Sequence, residues 1–392
     1  MRVCLFTDTL GDLNGVSRFI SDMGTLALEH DWQLHLITST AKPLPELDNL
    51  RNLPAKMRLP MPFYQELDLV WADSRRIRAL LLELKPDLVH ISTPGPFGWQ
   101  AKRQAEKLGI PLIGTYHTDF PAYIYDLTGL HFMKRRTDRV MANFYRPFEK
   151  VLSRSVAYTE VMANDLYMAH EKMAVIRPGT NLQKFNPQHE DRSVWQDFGL
   201  QEKRLKVLYV GRINVEKNIP FLCELWQAFQ QTLIARSLPL KVDLVLVGEG
   251  RYRKWTDKMR PFHGYFLGPV VGESLSKVYA SSDLFIFPSV TDTLGQVVME
   301  AQASGLGCLV SDIGGPQSLV LENQTGRVVP AGETDLWVKA LLEVLSDKPL
   351  RQQWRHRAPQ HMQAYDIEDS FEDFRQIHEQ VYSQLAEPLP LK

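Results

Sequence analysis

The chain has 392 residues, of which 44% are hydrophobic and 23% charged, which suffices for two domains with separate cores and excludes a disordered chain. Its net charge of -1 argues against a globally basic nucleic-acid binder. The three cysteines, Cys4, Cys223 and Cys308, are far apart and form no CxxC, so a disulfide framework and a zinc cluster are both unexpected and a reducing cytosol fits.

The N-terminus, Met1 to Asp8, is too short an apolar stretch for a secretory signal and reads as a first strand. Short apolar runs at Val3 to Phe6, Leu34 to Thr38, Leu88 to Ile91 and Leu112 to Thr115 then read as buried parallel strands. Helical patterns at Val16 to Glu29 and Ser74 to Leu84 separate them, the second stopped by Pro86. The polar, proline-bearing stretch from Arg177 through Arg192 reads as a linker. Strands restart at Lys206 to Val210, Val242 to Val247, Tyr265 to Leu267, Leu284 to Phe287 and Cys308 to Val310, and Ser370 to Tyr382 closes as an amphipathic helix. This alternation predicts an α/β chain of two Rossmann-like doubly wound domains facing a central cleft, over residues 1–185 and 186–369, with helix 370–392 packing back on the first. No run of eighteen apolar residues occurs, which leaves peripheral membrane contact open.

The segment Asp292-Thr-Leu-Gly-Gln-Val-Val-Met-Glu300 follows a strand-like run and sets two acids around a helix start, about 12 Å apart. Backbone N–H groups of Leu294, Gly295 and Gln296 suit the anionic, hydroxyl-rich part of a nucleotide-sugar, whereas carboxylates accept from hydroxyls. Asp292 is therefore placed on sugar hydroxyls and Glu300 on the ribose; the plain alternative is a helix cap and a solvated helix residue. Arg212 and Lys217 flank a strand-to-helix turn and suit a departing diphosphate, or are two surface cations. Gly15 follows the first strand, where a glycine permits close approach of phosphate; an ordinary turn is the alternative, and the absence of GxGxxG argues against a nicotinamide cofactor.

His117 ends a strand and points toward the expected cleft, as a ligand group or a structural histidine. Asp119 either orients His117, touches an acceptor or caps the next segment. Glu249, between two glycines, lies near the nucleotide or simply in a turn. The stretch from Met133 to Lys150 mixes Lys134, Arg135, Arg136 and Arg139 with aromatics and suits either an anionic lipid surface or a solvated face.

In their order, Asn14-Gly-Val16, Thr93-Pro-Gly-Pro96, Tyr116-His-Thr-Asp-Phe-Pro121, Gly211-Arg-Ile-Asn-Val-Glu-Lys-Asn218, Val247-Gly-Glu-Gly250, Phe266-Leu-Gly268, Tyr279-Ala-Ser-Ser-Asp283, Asp292 to Glu300 and Gly314-Gly-Pro316 resemble the retaining GT-B glycosyltransferases of family four. They are most similar to the branch of sulfoquinovosyl-diacylglycerol synthases and glycolipid mannosyltransferases. The resemblance implies a retaining, metal-independent hexosyltransferase using a UDP- or GDP-sugar, with no cofactor and no nucleic-acid partner, acting on a lipid or glycolipid acceptor. A transferase for a soluble saccharide and a catalytically weak nucleotide-sugar-binding subunit remain alternatives, as do a sugar phosphorylase and an epimerase.

The same resemblance implies that His117 meets a donor sugar hydroxyl, that Gly15 lies between donor and acceptor, and that Asn14, Asp119 and Tyr123 lie on the acceptor side. It also implies base reading by backbone near Leu267, and a cytoplasmic protein resting on the inner face of the membrane. Leu294 and Gln296 stand where that branch usually has Phe and Asn, which bears on the identity of the sugar.

Overall fold

The computed structural model describes residues 1–386 except 13, 62–63, 118 and 293, and leaves aside the side chains of 61, 64–67, 123, 126–127 and 157. The chain divides into two compact units, Met1–Arg177 with Glu368–Lys392, and Pro178–Ile367. The expected boundary after 185 thus falls after Arg177. The reason is local: Thr180 N–H donates to the Tyr365 carbonyl and Ile367 N–H to the Thr180 carbonyl, and Phe185 is buried in the second unit's core. A Cβ on Gly179 would stand 2.7 Å from the Asp366 carbonyl oxygen, so the incoming and outgoing chains press together at a glycine.

In the first unit, strands β1 (Arg2–Phe6), β2 (Gln33–Thr38), β3 (Leu50–Asn52), β6 (Leu88–Ile91), β7 (Leu112–Thr115), β8 (Lys150–Ser153) and β9 (Met173–Val175) form one sheet. Its order is β3-β2-β1-β6-β7-β8-β9, and each neighbouring pair is parallel. Both faces are covered, which is why the central strands read as largely apolar runs: every residue of β6 and β7 is buried, His90 and Thr115 among them. An antiparallel hairpin, β4 (Ala55–Met61) with β5 (Tyr64–Ala72), stands outside this sheet. Its mixed polar pattern, with Pro60 inside a strand, gives no clear period.

The helix Ile367–Ala386 belongs to this unit from Glu368 on. Phe374 and His378 on it are fully buried, with Phe374 edge-on to Phe19 at 5.9 Å. His378 Nδ1 lies 2.6 Å from the Phe374 carbonyl, His378 Nε2 lies 2.9 Å from His90 Nδ1, and His90 Nε2 lies 2.8 Å from Thr115 Oγ1. A carbonyl only accepts, so the tautomers follow in series: His378 donates from Nδ1, His90 donates to His378, and the Thr115 hydroxyl donates to His90. Burial pushes His378 down to about 4. Burial, followed by the neighbouring His378 and His117, holds His90 well below the ordinary histidine value. Both rings are neutral at physiological pH.

The second unit has a six-stranded sheet of β10 (Leu205–Val210), β11 (Val242–Val247), β12 (Gly264–Gly268), β13 (Leu284–Phe287), β14 (Cys308–Ser311) and β15 (Gly326–Val329), in the order β12-β11-β10-β13-β14-β15. All neighbouring pairs are again parallel. The sequence pattern supplies five of these strands; β15 is only four residues long, begins with Gly326 and carries Arg327 within it, so it lacks an apolar run. Its core includes four fully buried tryptophans, Trp195, Trp226, Trp337 and Trp354.

In a doubly wound sheet, ligands bind beyond the C-terminal ends of the strands where the winding reverses. The topology puts that reversal between β1 and β6 in the first unit and between β10 and β13 in the second.

Candidate functional site

The loops that leave β10 and β13 meet at the second unit's reversal point. After β10 the chain makes a short 3-10 turn, Val215–Lys217, and Asn218, in the left-handed region at φ 57°, opens the helix Ile219–Ala235. Two hydrogen bonds tie this loop to the one after β13: Thr291 Oγ1 donates to the Glu216 carbonyl (2.8 Å) and Asn218 Nδ2 to the Pro288 carbonyl (3.2 Å). The buried Lys217 is thereby aimed at Asp292, with Nζ 2.6 Å from Oδ1. Arg212 lies on the same loop, its guanidinium 3.3 Å from Glu216 and its carbonyl accepting from the Tyr209 hydroxyl (2.9 Å).

Burial favours the protonated form of Asp292, but the charge and hydrogen bond of Lys217, with the nearby Ser289 hydroxyl and then Arg212 adding to them, outweigh it and hold the carboxyl below the usual carboxylate range. Its second oxygen, Oδ2, is buried and has no hydrogen-bond partner among the described residues. A buried carboxylate oxygen left in this way is costly unless something else supplies a donor.

The helix between the two acids begins at Gln296, with Gly295 as its cap at φ 84°. Asp292 is therefore not a helix cap: it lies in the preceding loop and spends its charge on Lys217. Two glycines shape that loop. A Cβ on Gly295 would stand 2.9 Å from Pro316 Cγ, and one on Gly314, at φ 90°, 2.6 Å from the Asp292 carbonyl oxygen. Leu294 is partly buried against the core. The Gln296 side chain donates to the Gly179 carbonyl (3.2 Å).

Glu300 is fully buried, which rules out a solvated helix residue, and its Oε2 accepts from the Tyr279 hydroxyl at 2.9 Å. Glu249 follows β11, where Ile213 N–H donates to the Glu249 carbonyl (2.7 Å), and its side chain pairs with Arg253 at 2.9 Å. A Cβ on Gly248, at φ 139°, would lie 1.9 Å from the Gly211 carbonyl oxygen, so that position requires glycine. Leu267 lies in β12, whose last residue, Gly268, accepts from the Gly248 N–H (2.9 Å).

In the first unit, Asn14 caps the helix Gly15–Glu29, its side chain accepting from the N–H groups of Val16 (3.0 Å) and Ser17 (2.9 Å). Gly15 is an ordinary first helical residue, so any close approach there comes from its lack of a side chain rather than from a special backbone conformation. His117 follows β7 and its Nε2 lies 2.9 Å from Ser92 Oγ, beyond β6. Burial, with Arg154 adding to it, pushes His117 down to about 3, so it is a neutral hydrogen-bonding ring.

Asp119 caps the helix Phe120–Thr128, its Oδ1 accepting from Ala122 N–H (3.1 Å) and from the Tyr116 hydroxyl (3.2 Å); its recorded partners do not include His117. The side chain of Tyr123 lies outside the described residues. On the helix His131–Tyr145, Arg135, Arg136 and Arg139 are exposed beside Phe132, which is 66% exposed, and Val140. Lys134 turns away from that face into ion pairs with Asp165 (2.7 Å) and Asp138 (3.5 Å).

Residues 13–184 match the family described as Glycosyltransferase Family 4, and residues 192–361 match Glycosyl transferases group 1. The chain belongs to glycosyltransferase family 4. It is 29% identical to the sulfoquinovosyl transferase SQD2 of Arabidopsis thaliana over 339 residues, which is 84% of this chain and 64% of that protein. It is 30% identical to a GDP-mannose-dependent alpha-mannosyltransferase of Mycobacterium tuberculosis over 260 residues, which is 66% of this chain and 64% of that one. The matched stretch thus spans somewhat under two thirds of each relative.

Among solved structures, sucrose-phosphate synthase from Thermosynechococcus elongatus superposes with a TM-score of 0.72 at 17% identity, covering 98% of this chain and 100% of that one. Anabaena Alr3699/HepE in complex with UDP gives 0.72 at 16%, covering 97% and 100%. At these identities the likeness establishes the fold, GT-B.

Within this family 4 chain, sequence reasoning missed Ser92, which holds His117, and Tyr279, which holds Glu300 although it lies inside one of the quoted motifs. It also passed over Asp8, which it read only as the acid ending an apolar run. Partnerships across strands leave no local trace; a hydroxyl or acid directly after a β-strand is the available signal.

Proposed function

We propose that this chain is a retaining, metal-independent glycosyltransferase that moves a hexose from a UDP- or GDP-sugar to a hydroxyl of a membrane lipid or glycolipid. The observation that carries the reading is the Lys217–Asp292 pair at the winding reversal of the second unit. The pair sets a cation where a diphosphate would bind and leaves one carboxylate oxygen, Asp292 Oδ2, ready to accept from a sugar hydroxyl. Arg212 adds a second cation, and Glu300 is the proposed ribose contact. Two relatives, a sulfoquinovosyl transferase and a GDP-mannose-dependent alpha-mannosyltransferase, support the donor class.

In the proposed reaction, the bond from the sugar's anomeric carbon to the diphosphate oxygen breaks, and the acceptor oxygen bonds to that carbon from the same face. The acceptor's proton passes to the departing phosphate oxygen, while Lys217 and Arg212 balance the developing charge. His117, neutral, is the proposed partner of a sugar hydroxyl. The lipid acceptor is supported by the exposed face of Phe132, Arg135, Arg136, Arg139 and Val140, which combines cations with an apolar tip as an anionic membrane surface requires. No helix among the described residues is long and apolar enough to cross a membrane, so contact is proposed to be peripheral, on the cytoplasmic face.

The test is nucleotide release from a panel of UDP- and GDP-sugars, with and without lipid extract. Release that lipid accelerates is expected; a panel with no release at all overturns the reading, and acceleration only by soluble sugars overturns the lipid acceptor.

A further inference from the structure

The first unit's winding reversal also carries a carboxyl, one to which the proposed reaction assigns no role. Asp8 lies two residues beyond the end of β1, and its N–H donates to Thr93 Oγ1 (3.3 Å) in the loop after β6. Its Oδ2 rests against Gly95, where any Cβ would stand 2.3 Å from that oxygen, so a side chain at 95 would expel the carboxyl. Gly98 keeps the same loop close, since a Cβ there would lie 2.0 Å from the Thr93 carbonyl oxygen. Two glycines and a threonine thus build a seat for one acid at the place where a doubly wound sheet takes its ligand.

The charged groups around the seat are Asp12, after β1 and ion-paired with Lys42, and Asp68, on β5 and 3.6 Å from Arg58. Burial raises the Asp8 carboxyl to about 6; the hydrogen bond from Thr93 opposes the rise, and Asp12 and Asp68 add to it. A buried carboxylate whose nearest charged neighbours are two acids, each with its own cation, repels phosphate and favours hydroxyl donors.

Resting on the proposed function, we infer that Asp8 binds the acceptor, its carboxylate accepting a hydrogen bond from a hydroxyl of a neutral polyol or sugar end seated between β1 and β6. The group holds and orients the acceptor; the transferred proton goes to the departing phosphate oxygen as before. Asp8 serves this role while ionised, so acceptor affinity is full above pH 6 and is lost as the pH falls through about 6.

The experiment measures acceptor KM and kcat from pH 5 to 8 for the wild type and Asp8→Asn, in mixed micelles of glucosyl-diacylglycerol or of phosphatidylinositol. The donor is whichever nucleotide-sugar the wild type turns over. Wild-type KM for the neutral acceptor is expected to rise about tenfold between pH 7 and pH 5. The Asn variant is expected to start ~10–100-fold higher and to stay flat.

A variant with wild-type KM and the wild-type pH profile overturns the inference, as does a preference for phosphatidylinositol. Thermal unfolding checks that Asp8→Asn is folded; if it is not, a wild-type KM that is flat from pH 5 to 8 overturns the inference without any variant. A wild type that turns over no donor overturns the proposed function itself, and this inference with it, whereas turnover with an indifferent Asp8 overturns the inference alone.

Discussion

In the second unit the gap between β10 and β13 holds Lys217 and Arg212 around one carboxylate, Asp292; in the first, the gap between β1 and β6 holds Asp8, Thr93 and Ser92, with a neutral His117 alongside. The two sheets wind alike and reverse at corresponding points. What differs is the chemistry placed there: cations that suit an anion in one, acceptors and hydroxyls that suit hydroxyl groups in the other. The winding specifies where a ligand goes, and a few residues just beyond the strand ends specify what kind it is.

The sharpest way to break this contrast is Lys217→Ala. It removes the cation and leaves Asp292 uncompensated, so kcat in the nucleotide-release assay is expected to fall ~10²–10³-fold, with a lower melting temperature. Adding Asp292→Asn should recover stability without recovering turnover. If Lys217→Ala keeps its turnover, the second unit's gap is not the diphosphate site.

Acid should separate the units next. His90, His378 and His117 are neutral when folded, with His378 near 4 and His117 near 3, whereas an unfolded histidine takes its proton near 6.5. The three histidines therefore take up protons on unfolding below about pH 6.5, and the first unit loses stability as the pH falls from there toward 4, by ~3 kcal/mol for His378 alone, a loss that the raised Asp8 carboxyl only partly offsets. Asp292 has the same sense in a lower window: its lowered value keeps its contribution intact until the pH falls into the ordinary carboxylate range. Denaturant unfolding between pH 7 and 4.5 should show the first unit weakening ahead of the second; simultaneous weakening would contradict the histidine series.

Glu300→Gln tests whether the buried acid reaches the nucleotide. Loss of one charge-assisted contact predicts about 10–100-fold weaker nucleoside-diphosphate binding by calorimetry. Unchanged affinity would leave Glu300 as a partner of Tyr279 alone. The smallest effect is expected at the exposed basic face. Reversing Arg136 and Arg139 to Glu should weaken sedimentation with anionic vesicles by ~1 kcal/mol per residue, while Lys134→Ala, which removes a lysine already paired with Asp165, should not.

Much of the architecture is legible in the sequence because parallel strands buried on both faces are mostly apolar. Leu88–Ile91 and Val242–Val247 follow this rule, each with one buried polar residue, His90 and Asp243. The hairpin of β4 and β5 is not, since it lies outside the sheet and obeys no clean alternation. The second unit's loop was readable because its motifs, in their order, resemble those of family four; Arg212 and Lys217 alone also fit two surface cations. The roles within it were less so: the Gln296 side chain bonds to Gly179, the helix starts only at Gln296, and Glu300 is enclosed, all consequences of packing between distant segments. The first unit's gap was least legible, because Asp8 acquires its character from Thr93 and Gly95, some eighty-five residues further along.

The assignment of Glu368 onward to the first unit bears on the order of synthesis. A ribosome delivers β1 first, yet the buried side chains of Phe374 and His378 arrive only after the whole of the second unit has been made. Until then Phe19 and His90 lack their covering helix, so the second unit can complete its core during translation while the first must wait.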